Sequence, residues 1–193
     1  MNTATPVFLD SPMAIAVTQV FKAFPQLYNP ELAADAQPFA YPGLTFTKTV
    51  PESKAILKVT GPKIIIAGSG MMSGGRILHH LKNYIFLATT RVLIVGYQAV
   101  GTPGREIEAG AKQITIFDQD IPVRATITGL KSLSSHADQP KLLHWLRQIQ
   151  GVQQVFLVHG EDRQRVALSQ KIKEEIGIQN VILPAKNQVH EIG

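Results

Sequence analysis

The chain contains no cysteine among its 193 residues, and this absence removes several kinds of site. Disulfide frameworks, thiolate zinc centres and cysteine nucleophiles are excluded, so any metal must be held by histidine and carboxylate side chains. The lack of cysteine also fits a reducing compartment, and we predict a cytoplasmic location. Charged residues make up only 17% of the chain and hydrophobic residues 45%, a composition that excludes a disordered tail.

Long hydrophobic runs are absent as well. The longest are short stretches such as 92–95, far below the roughly 18 residues that cross a bilayer. The first residues carry neither the basic start nor the apolar centre of a secretory signal. We therefore predict no membrane partner, and at about 150 residues per domain the length corresponds to one large domain or two small ones.

Acidic residues are missing from a long central stretch. Between Ser53 and Arg105 there is no Asp or Glu, although the net charge of the whole chain is only +5. A stretch with charge of one sign is compatible with a positive surface for a polyanion, and equally with a solvated face neutralised by acids from elsewhere in the chain. Its seven basic residues are Lys54, Lys58, Lys63, Arg76, Lys82, Arg91 and Arg105.

Strand and helix patterns alternate along most of the chain. This alternation predicts an α/β fold with a mostly parallel sheet flanked by helices. Apolar and polar residues alternate on both sides of Asp118-Gln119-Asp120, which predicts a hairpin. Residues 25–51 hold five of the twelve prolines and are predicted as loop or broken helix. The apolar runs that predict buried strands are 7–9, 63–67, 91–97, 154–158 and 181–183.

The first helix is predicted to start at Asp10-Ser11-Pro12, which offers a capping side chain and a proline in the first turn. Its apolar residues recur with helical spacing and fall on one face. They are Met13, Val17, Val20, Phe21 and Phe24.

Two histidines stand next to predicted elements of the last third. We predict a strand–helix–strand unit from 121–128, 139–149 and 154–158, with His136 before the helix and His159 after the second strand. Both would then lie at the carboxyl edge of one sheet, where open α/β folds place their sites and where two imidazoles can share one centre. The alternative is that each is a structural hydrogen-bonding histidine, and the residues by themselves leave both readings open.

A glycine-rich segment, residues 68–75, joins a predicted strand to a helix that begins at Arg76. We call it the glycine loop. Small residues at a helix N-terminus fit a phosphate-facing turn, although the spacing matches neither a P-loop nor the dinucleotide fingerprint. A tight packing turn is the alternative. The adjacent His79 and His80 are predicted to lie on the surface or to face phosphate.

Several motifs, taken together and in order, resemble the β-CASP branch of the metallo-β-lactamase superfamily, a group of RNA-processing nucleases. The most similar group comprises bacterial and archaeal relatives of the mRNA 3′-end cleavage endonuclease. The segments that carry the resemblance are Phe8-Leu9-Asp10-Ser11-Pro12-Met13-Ala14, residues 70–76 with His79-His80-Leu81, residues 95–98 with 101–105, Ser134-Ser135-His136-Ala137-Asp138, and Val158-His159-Gly160-Glu161.

The resemblance implies roles for particular residues. His136 corresponds to a signature histidine that acts as general acid, and His159 to a ligand of one of two zinc ions in a two-metal hydrolysis of RNA phosphodiester bonds. Residues 1–125 would form the β-CASP cap domain, and 126–193 a C-terminal metallo-β-lactamase and RNA-specificity segment. The implied RNA or phosphate contacts are Ser69, Gly70, Ser73, Gly74, Gly75, Arg76 and Arg105.

The resemblance also has a gap. The family's His-x-His-x-Asp-His motif does not occur in this chain, which therefore resembles the C-terminal part of such an enzyme. We expect two partners, RNA and a missing N-terminal metallo-β-lactamase half, and a homodimer is a further possible assembly. We also expect that the chain alone holds no zinc and does not cleave RNA. The alternatives are a non-catalytic RNA-binding or assembly module and, ranked last, a mononucleotide-binding α/β domain that uses the glycine loop.

Overall fold

A computed structural model describes residues 5–29, 31, 38–130, 132–134 and 136–191. The chain divides into two compact units, Met1–Ser134 and Ser135–Gly193. The domain boundary predicted at 125/126 stays a prediction. The proline-rich segment 25–51 contains a short 3-10 helix, Pro25–Leu27, and also a strand, Leu44–Phe46, which the prediction of loop or broken helix did not include. Positions 30 and 32–37 of this segment lie outside the described residues, as does Ser135 of the His136 motif.

The first unit consists of short strands joined by helices. Its first sheet is parallel with the order β2-β1-β3, so the first strand lies in the centre, and a second parallel pair joins β4 to β7. Strands β5 and β6 form an antiparallel hairpin. The elements are β1 (Val7–Asp10), α1 (Pro12–Ala23), β2 (Leu44–Phe46), α2 (Val50–Ala55), β3 (Ile64–Ala67), α3 (Arg76–Tyr84), β4 (Arg91–Ile94), α4 (Pro103–Glu108), β5 (Gln113–Ile116), β6 (Gln119–Pro122) and β7 (Thr126–Gly129).

The predicted hairpin is confirmed, with its turn one residue earlier than expected. Phe117 and Asp118 have φ values of 51° and 57°, and both lie between the paired ends Ile116 and Gln119. Two consecutive residues with positive φ make the type I′ turn, whose twist matches that of two antiparallel strands. Phe117 is the unexpected member, because a bulky residue rarely adopts this conformation.

The start of α1 is confirmed, whereas its apolar face is not covered. Ser11 caps the helix by accepting from the Ala14 amide at 3.3 Å, and Pro12 occupies the first helical position. The helix buries Ile15 and Thr18. The apolar residues of the predicted face remain 48% to 77% exposed, namely Met13, Val17, Val20, Phe21 and Phe24.

The core of the first unit lies among α3, β4, α4 and the hairpin. Ile85 and Ile107 are fully buried. In the described part of the chain, no helix is long and apolar enough to cross a membrane. Apolar burial of this kind stabilises by roughly 25 cal/mol per Å² removed from water. The buried members are Met72, Leu81, Ile85, Ile94, Ile107, Ile114, Ile116 and Ile121.

The second unit contains α5 (Gln139–Arg147), β8 (Val155–Phe156), α6 (Asp162–Glu175) and β9 (Val181–Ile182). Strands β8 and β9 are parallel, and Leu143, Leu146 and Ile172 form the buried core. The fold class is thus confirmed as α/β with mostly parallel strand pairs.

The predicted strand–helix–strand unit is wrong. Residues 121–128 do not form one strand, because β6 ends at Pro122 in the hairpin and β7 begins at Thr126. β7 pairs with β4 over four residues, while β8 pairs with β9, so the two strands flanking α5 belong to different sheets. A short apolar strand pairs with whichever strand the chain brings beside it, and this choice depends on contacts distant in sequence.

Candidate functional site

The glycine loop lies between β3 and α3 and is held by its own backbone. The Ser69 amide donates to the Gly74 carbonyl at 3.0 Å, and the Met72 amide to the Ser69 carbonyl at 3.1 Å. The Ser73 amide donates to the Ser69 hydroxyl at 3.1 Å. These bonds close the loop into a compact turn whose residues Ser69, Gly70 and Ser73 are exposed.

Gly75 is required where the loop enters α3. Its φ is 80°, and a Cβ at this position would lie 2.5 Å from the Gly68 carbonyl oxygen. Only glycine combines positive φ with such a close approach of two backbone segments. The Gly68 carbonyl in turn accepts from the Ile77 amide at 3.0 Å, which ties the start of the loop to the first turn of α3.

Three amides of the loop donate to none of these internal bonds. Within the described residues, the N–H groups of Gly70, Gly74 and Gly75 have no acceptor. Exposed N–H groups near the N-terminus of a helix are suited to an anion, because the helix dipole adds a partial positive charge at that end. The loop therefore has the donors that a phosphate group needs.

Behind the loop, Asp10 is the centre of a buried polar cluster. Its carboxylate is fully buried at the end of β1. Oδ1 accepts from the Thr47 hydroxyl at 2.6 Å and from Arg76 at 2.7 Å, and Oδ2 accepts from the Ser53 hydroxyl at 2.6 Å and faces His80 Nε2, also at 2.6 Å. The four partners come from the end of β2, from α2 and from α3, so one carboxylate joins three elements to β1.

The cluster keeps Asp10 ionised. Burial by itself raises the pKa of this carboxyl, but hydrogen bonds from Ser53, Thr47, His80 and Arg76 outweigh burial and lower the pKa from 3.8 to about 2. A carboxylate that accepts several short hydrogen bonds is strongly favoured in its charged form. The Asp10 side chain is thus a permanent anion at physiological pH.

The two residues of α3 in this cluster behave differently from the sequence predictions. His80 is buried, with 6% exposure, and bonds to Asp10, so the prediction that it lies on the surface or faces phosphate is wrong. His79 is exposed and packs against the ring of Phe117 at 4.9 Å. Arg76 donates through Nη1 to Asp10 and to the Thr47 carbonyl, and through Nη2 to the Lys48 carbonyl at 2.9 Å.

Arg105, the other predicted basic contact, lies in the first turn of α4. Thr102 caps this helix, and Arg105 Nη1 donates to the Gln98 carbonyl at 3.1 Å. The side chain of Arg105 is half-buried. The sequence predicted no role for Thr47, Ser53 or the Gln98 side chain, because these three hydrogen bonds join residues 28 to 43 positions apart.

The two histidines of interest belong to the second unit, and both are exposed. His136 lies in a bend before α5, and Asp138 caps this helix by accepting from the Lys141 amide at 3.0 Å. His159 lies in a bend between β8 and α6. Since β7 and β8 belong to different sheets, neighbouring strands do not bring the two rings together, and their convergence on one centre stays a prediction.

The donors present do not make a metal centre by themselves. Over the described ranges of the chain, no group of three or more His, Asp or Glu residues is placed to hold an ion. Structural and catalytic zinc sites use three or four protein ligands, and a single imidazole holds zinc weakly. His159 fits a zinc site only as one member of a larger ligand set.

Comparison with known protein families gives two adjoining matches. Residues 1–107 match the family described as the Beta-Casp domain, which covers more than half of the chain and includes β1, the Asp10 cluster and the glycine loop. Residues 120–184 match the family described as the Zn-dependent metallo-hydrolase RNA specificity domain. His136 and His159 fall in this second match.

Three similar proteins are themselves described as ribonucleases. Ribonuclease TTHA0252 of Thermus thermophilus is 39% identical over 167 residues, which cover 84% of this chain and 38% of that protein. The RNase J-like protein of Methanocaldococcus jannaschii is 28% identical, with 93% of this chain and 42% of that protein covered. RNase aCSPSF2 of Saccharolobus solfataricus is 29% identical, with 97% and 36% covered. The chain thus spans about two-fifths of the length of these relatives.

Proposed function

We propose that this chain, which belongs to the β-CASP family of RNA-processing nucleases, binds RNA and supplies catalytic groups for hydrolysis of RNA phosphodiester bonds. The observation that carries the proposal is the glycine loop inside the Beta-Casp match, an exposed turn whose Gly70, Gly74 and Gly75 amides have no acceptor among the described residues. The absence of cysteine further supports a reducing, cytoplasmic setting.

RNA phosphates are the groups that the first unit would contact. The amides of Gly70, Gly74 and Gly75 and the Ser69 hydroxyl would donate to phosphate oxygens, and Arg105 would add a positive charge. The Ser73 hydroxyl would donate to phosphate in place of its long bond to the Met71 carbonyl, at 3.4 Å. Arg76 would act mainly through its charge, because Nη1 and Nη2 already donate to three internal acceptors.

The catalytic part of the proposal concerns the second unit. His136, which is exposed before α5, would protonate the leaving oxygen as general acid. His159 would be one ligand of a zinc centre whose other ligands lie outside the described residues. The part of the relatives' length that this chain does not cover is the expected source of those ligands.

A non-catalytic RNA-binding or assembly module is the second candidate function. The lack of a three-donor metal group in the described part of the chain favours it, because such a module needs no metal. A homodimer that buries the exposed apolar face of α1 is part of this candidate. The two functions predict the same RNA binding and differ in cleavage.

RNA binding is tested by fluorescence anisotropy with a 5′-labelled single-stranded RNA of about 20 nucleotides. If about three phosphates are contacted, the logarithm of the affinity falls with the logarithm of salt concentration with a slope of about −2. Arg105→Ala is expected to weaken binding and reduce the slope, whereas Arg163→Ala, which removes the same charge from an exposed position on α6, is the matched control. Equal effects of both substitutions would contradict a specific role for Arg105.

Cleavage is tested in a chimera in which this chain replaces the homologous segment of the Thermus ribonuclease. We expect a zinc-dependent cleavage activity that falls by about 10² to 10⁴ in His136→Ala, as for loss of a general acid, and is lost in His159→Ala. His144→Ala on α5 is the control, because this histidine is exposed and outside the candidate site. Full activity of both site variants would overturn the catalytic proposal, and RNA binding without cleavage in any chimera would favour the second candidate.

A further inference from the structure

Gln98 is a buried amide that connects two loops of the first unit. Its side chain is only 1% exposed, although it follows β4 in an otherwise exposed segment. A polar side chain buried to this degree is retained only where its hydrogen bonds offset the loss of water. The partners of the amide therefore indicate its purpose.

The nitrogen of the Gln98 side chain reaches the glycine loop. Nε2 donates to the Gly70 carbonyl at 2.9 Å and also contacts the carbonyls of Gly96 and Tyr97, at 3.1 and 3.2 Å. The bond to Gly70 crosses 28 residues of sequence. By fixing this carbonyl, Gln98 fixes the peptide unit at the exposed tip of the loop.

The oxygen of the same side chain lies against the start of α4. A Cβ built at Gly104 would stand 1.7 Å from Gln98 Oε1, so only glycine leaves room for the amide. The Gly104 amide donates to the Met71 carbonyl at 3.2 Å, which joins α4 directly to the glycine loop. Gln98 and Gly104 thus hold the loop from two sides.

Arg105 is the next residue along α4, and it is tied to the same point. Its Nη1 donates to the main-chain carbonyl of Gln98 at 3.1 Å. The glycine loop and Arg105, which are separated by some thirty residues in the sequence, are therefore connected through Gln98 by both its side chain and its backbone. This arrangement fixes the distance between the loop donors and the Arg105 guanidinium.

We infer that Gln98, with Gly104, is a positioning pair that sets the glycine loop and Arg105 in one arrangement for neighbouring phosphates of an RNA strand. The inference rests on the proposed function. Gln98 Oε1 is buried and has no hydrogen-bond partner among the described residues, a cost in stability that an apolar side chain of similar size would avoid. The presence of a buried amide at position 98 is thus explained by the hydrogen bonds of its N–H groups, which hold the glycine loop in place.

Hydrogen exchange measures the positioning directly, without RNA. Gln98→Met keeps the length of the side chain and removes its donors, and Gln113→Met on β5 is the matched control at an exposed glutamine. We expect the amides of the glycine loop and of residues 102–105 to exchange at least tenfold faster together in Gln98→Met, with the β1 and β3 amides unchanged. Unchanged exchange in these two segments, or acceleration in only one, would overturn the inference.

RNA affinity separates positioning from packing. Gly104→Ala should lower both the thermal midpoint and the RNA affinity, because its methyl group displaces the Gln98 side chain. Adding Gln98→Ala makes room for that methyl group, so the double variant is expected to regain stability while its RNA affinity stays about tenfold low. Recovery of affinity together with stability would show a merely structural role and overturn the inference.

The two proposals fail in different ways. If the unchanged protein does not bind RNA at any salt concentration, the proposed function and the RNA role of the pair are both overturned, whatever the exchange data show. If it binds RNA and Gln98→Met binds equally tightly, the proposed function stands and the positioning role is overturned. In a double-mutant cycle, Gln98→Met should cost less affinity in an Arg105→Ala background than alone, because the residue it positions is gone.

Discussion

Replacing Asp10 by Asn is the sharpest test of the cluster behind the glycine loop. The substitution keeps the shape of the side chain but removes its charge and turns one acceptor oxygen into a donor. That donor would face one of four groups that already donate, from Thr47, Ser53, Arg76 and His80. The Arg76 guanidinium, with 17% of its side chain exposed, would lose its ion pair with the Asp10 carboxylate.

The size of the effect follows from burial. Removing one partner of a buried ion pair costs about 3–5 kcal/mol, because the remaining charge stays uncompensated. Arg76 keeps the Thr47 and Lys48 carbonyls as acceptors, so we expect a loss of about 3 kcal/mol in the free energy of unfolding. Chemical denaturation followed by far-UV circular dichroism measures it, with Asp118→Asn in the exposed hairpin turn as a control that changes stability by about 0.5 kcal/mol or less.

The same carboxylate predicts a dependence on pH. The folded pKa of Asp10, about 2, lies below its ordinary value of 3.8, so ionised Asp10 stabilises the fold above pH 3.8. This contribution, about 2 kcal/mol, is lost as the pH falls from 3.8 towards 2. The Asp10→Asn variant should lack this part of the acid destabilisation. A loss below about 1 kcal/mol at neutral pH, or an acid limb identical to that of the unchanged protein, would refute the reasoning.

Two further substitutions test the loop itself. Gly75→Ala should lower the free energy of unfolding by about 1–3 kcal/mol, because φ is 80° and the methyl group would meet the Gly68 carbonyl. Calorimetry measures this loss, with Gly74→Ala as the less crowded control. Arg76→Lys should lower the free energy of unfolding by about 1–3 kcal/mol, since one ammonium group cannot bond to all three acceptors. The same substitution should change RNA affinity less than threefold, because the positive charge remains. A tenfold or larger loss of affinity in folded Arg76→Lys would show that this guanidinium contacts RNA directly.

Local features of the fold were predictable because their causes are local. The cap at Ser11, the cap at Asp138 and the hairpin each depend on a few consecutive residues. The α/β class followed from the alternation of apolar runs and helical periods, which the parallel pairs of β1, β4 and β8 confirm. Periodicity also identified the apolar face of α1, but periodicity cannot tell which face of a helix the rest of the protein covers.

Strand partners and the burial of His80 were not predictable for a different reason. The expected neighbours of β8 came from order along the chain, whereas the pairing of β7 with β4 closes a connection of more than thirty residues. His80 looked like a surface residue because it stands beside His79 on a short helix. Its burial depends on Asp10, which is 70 residues away in the sequence. No pattern within a helix can encode such a partner.

The candidate site combines these two kinds of information. The glycine loop is visible in the sequence because backbone geometry requires glycine at Gly75. The groups that hold the loop in place, Asp10 behind it and Gln98 beside it, belong to other segments of the chain. Their contacts join β1, the end of β4 and the start of α4 to the loop. A substitution at Asp10 or Gln98 would leave every glycine of the loop intact and still change the arrangement of its donors, so the phosphate-facing geometry depends on residues that the loop motif does not include.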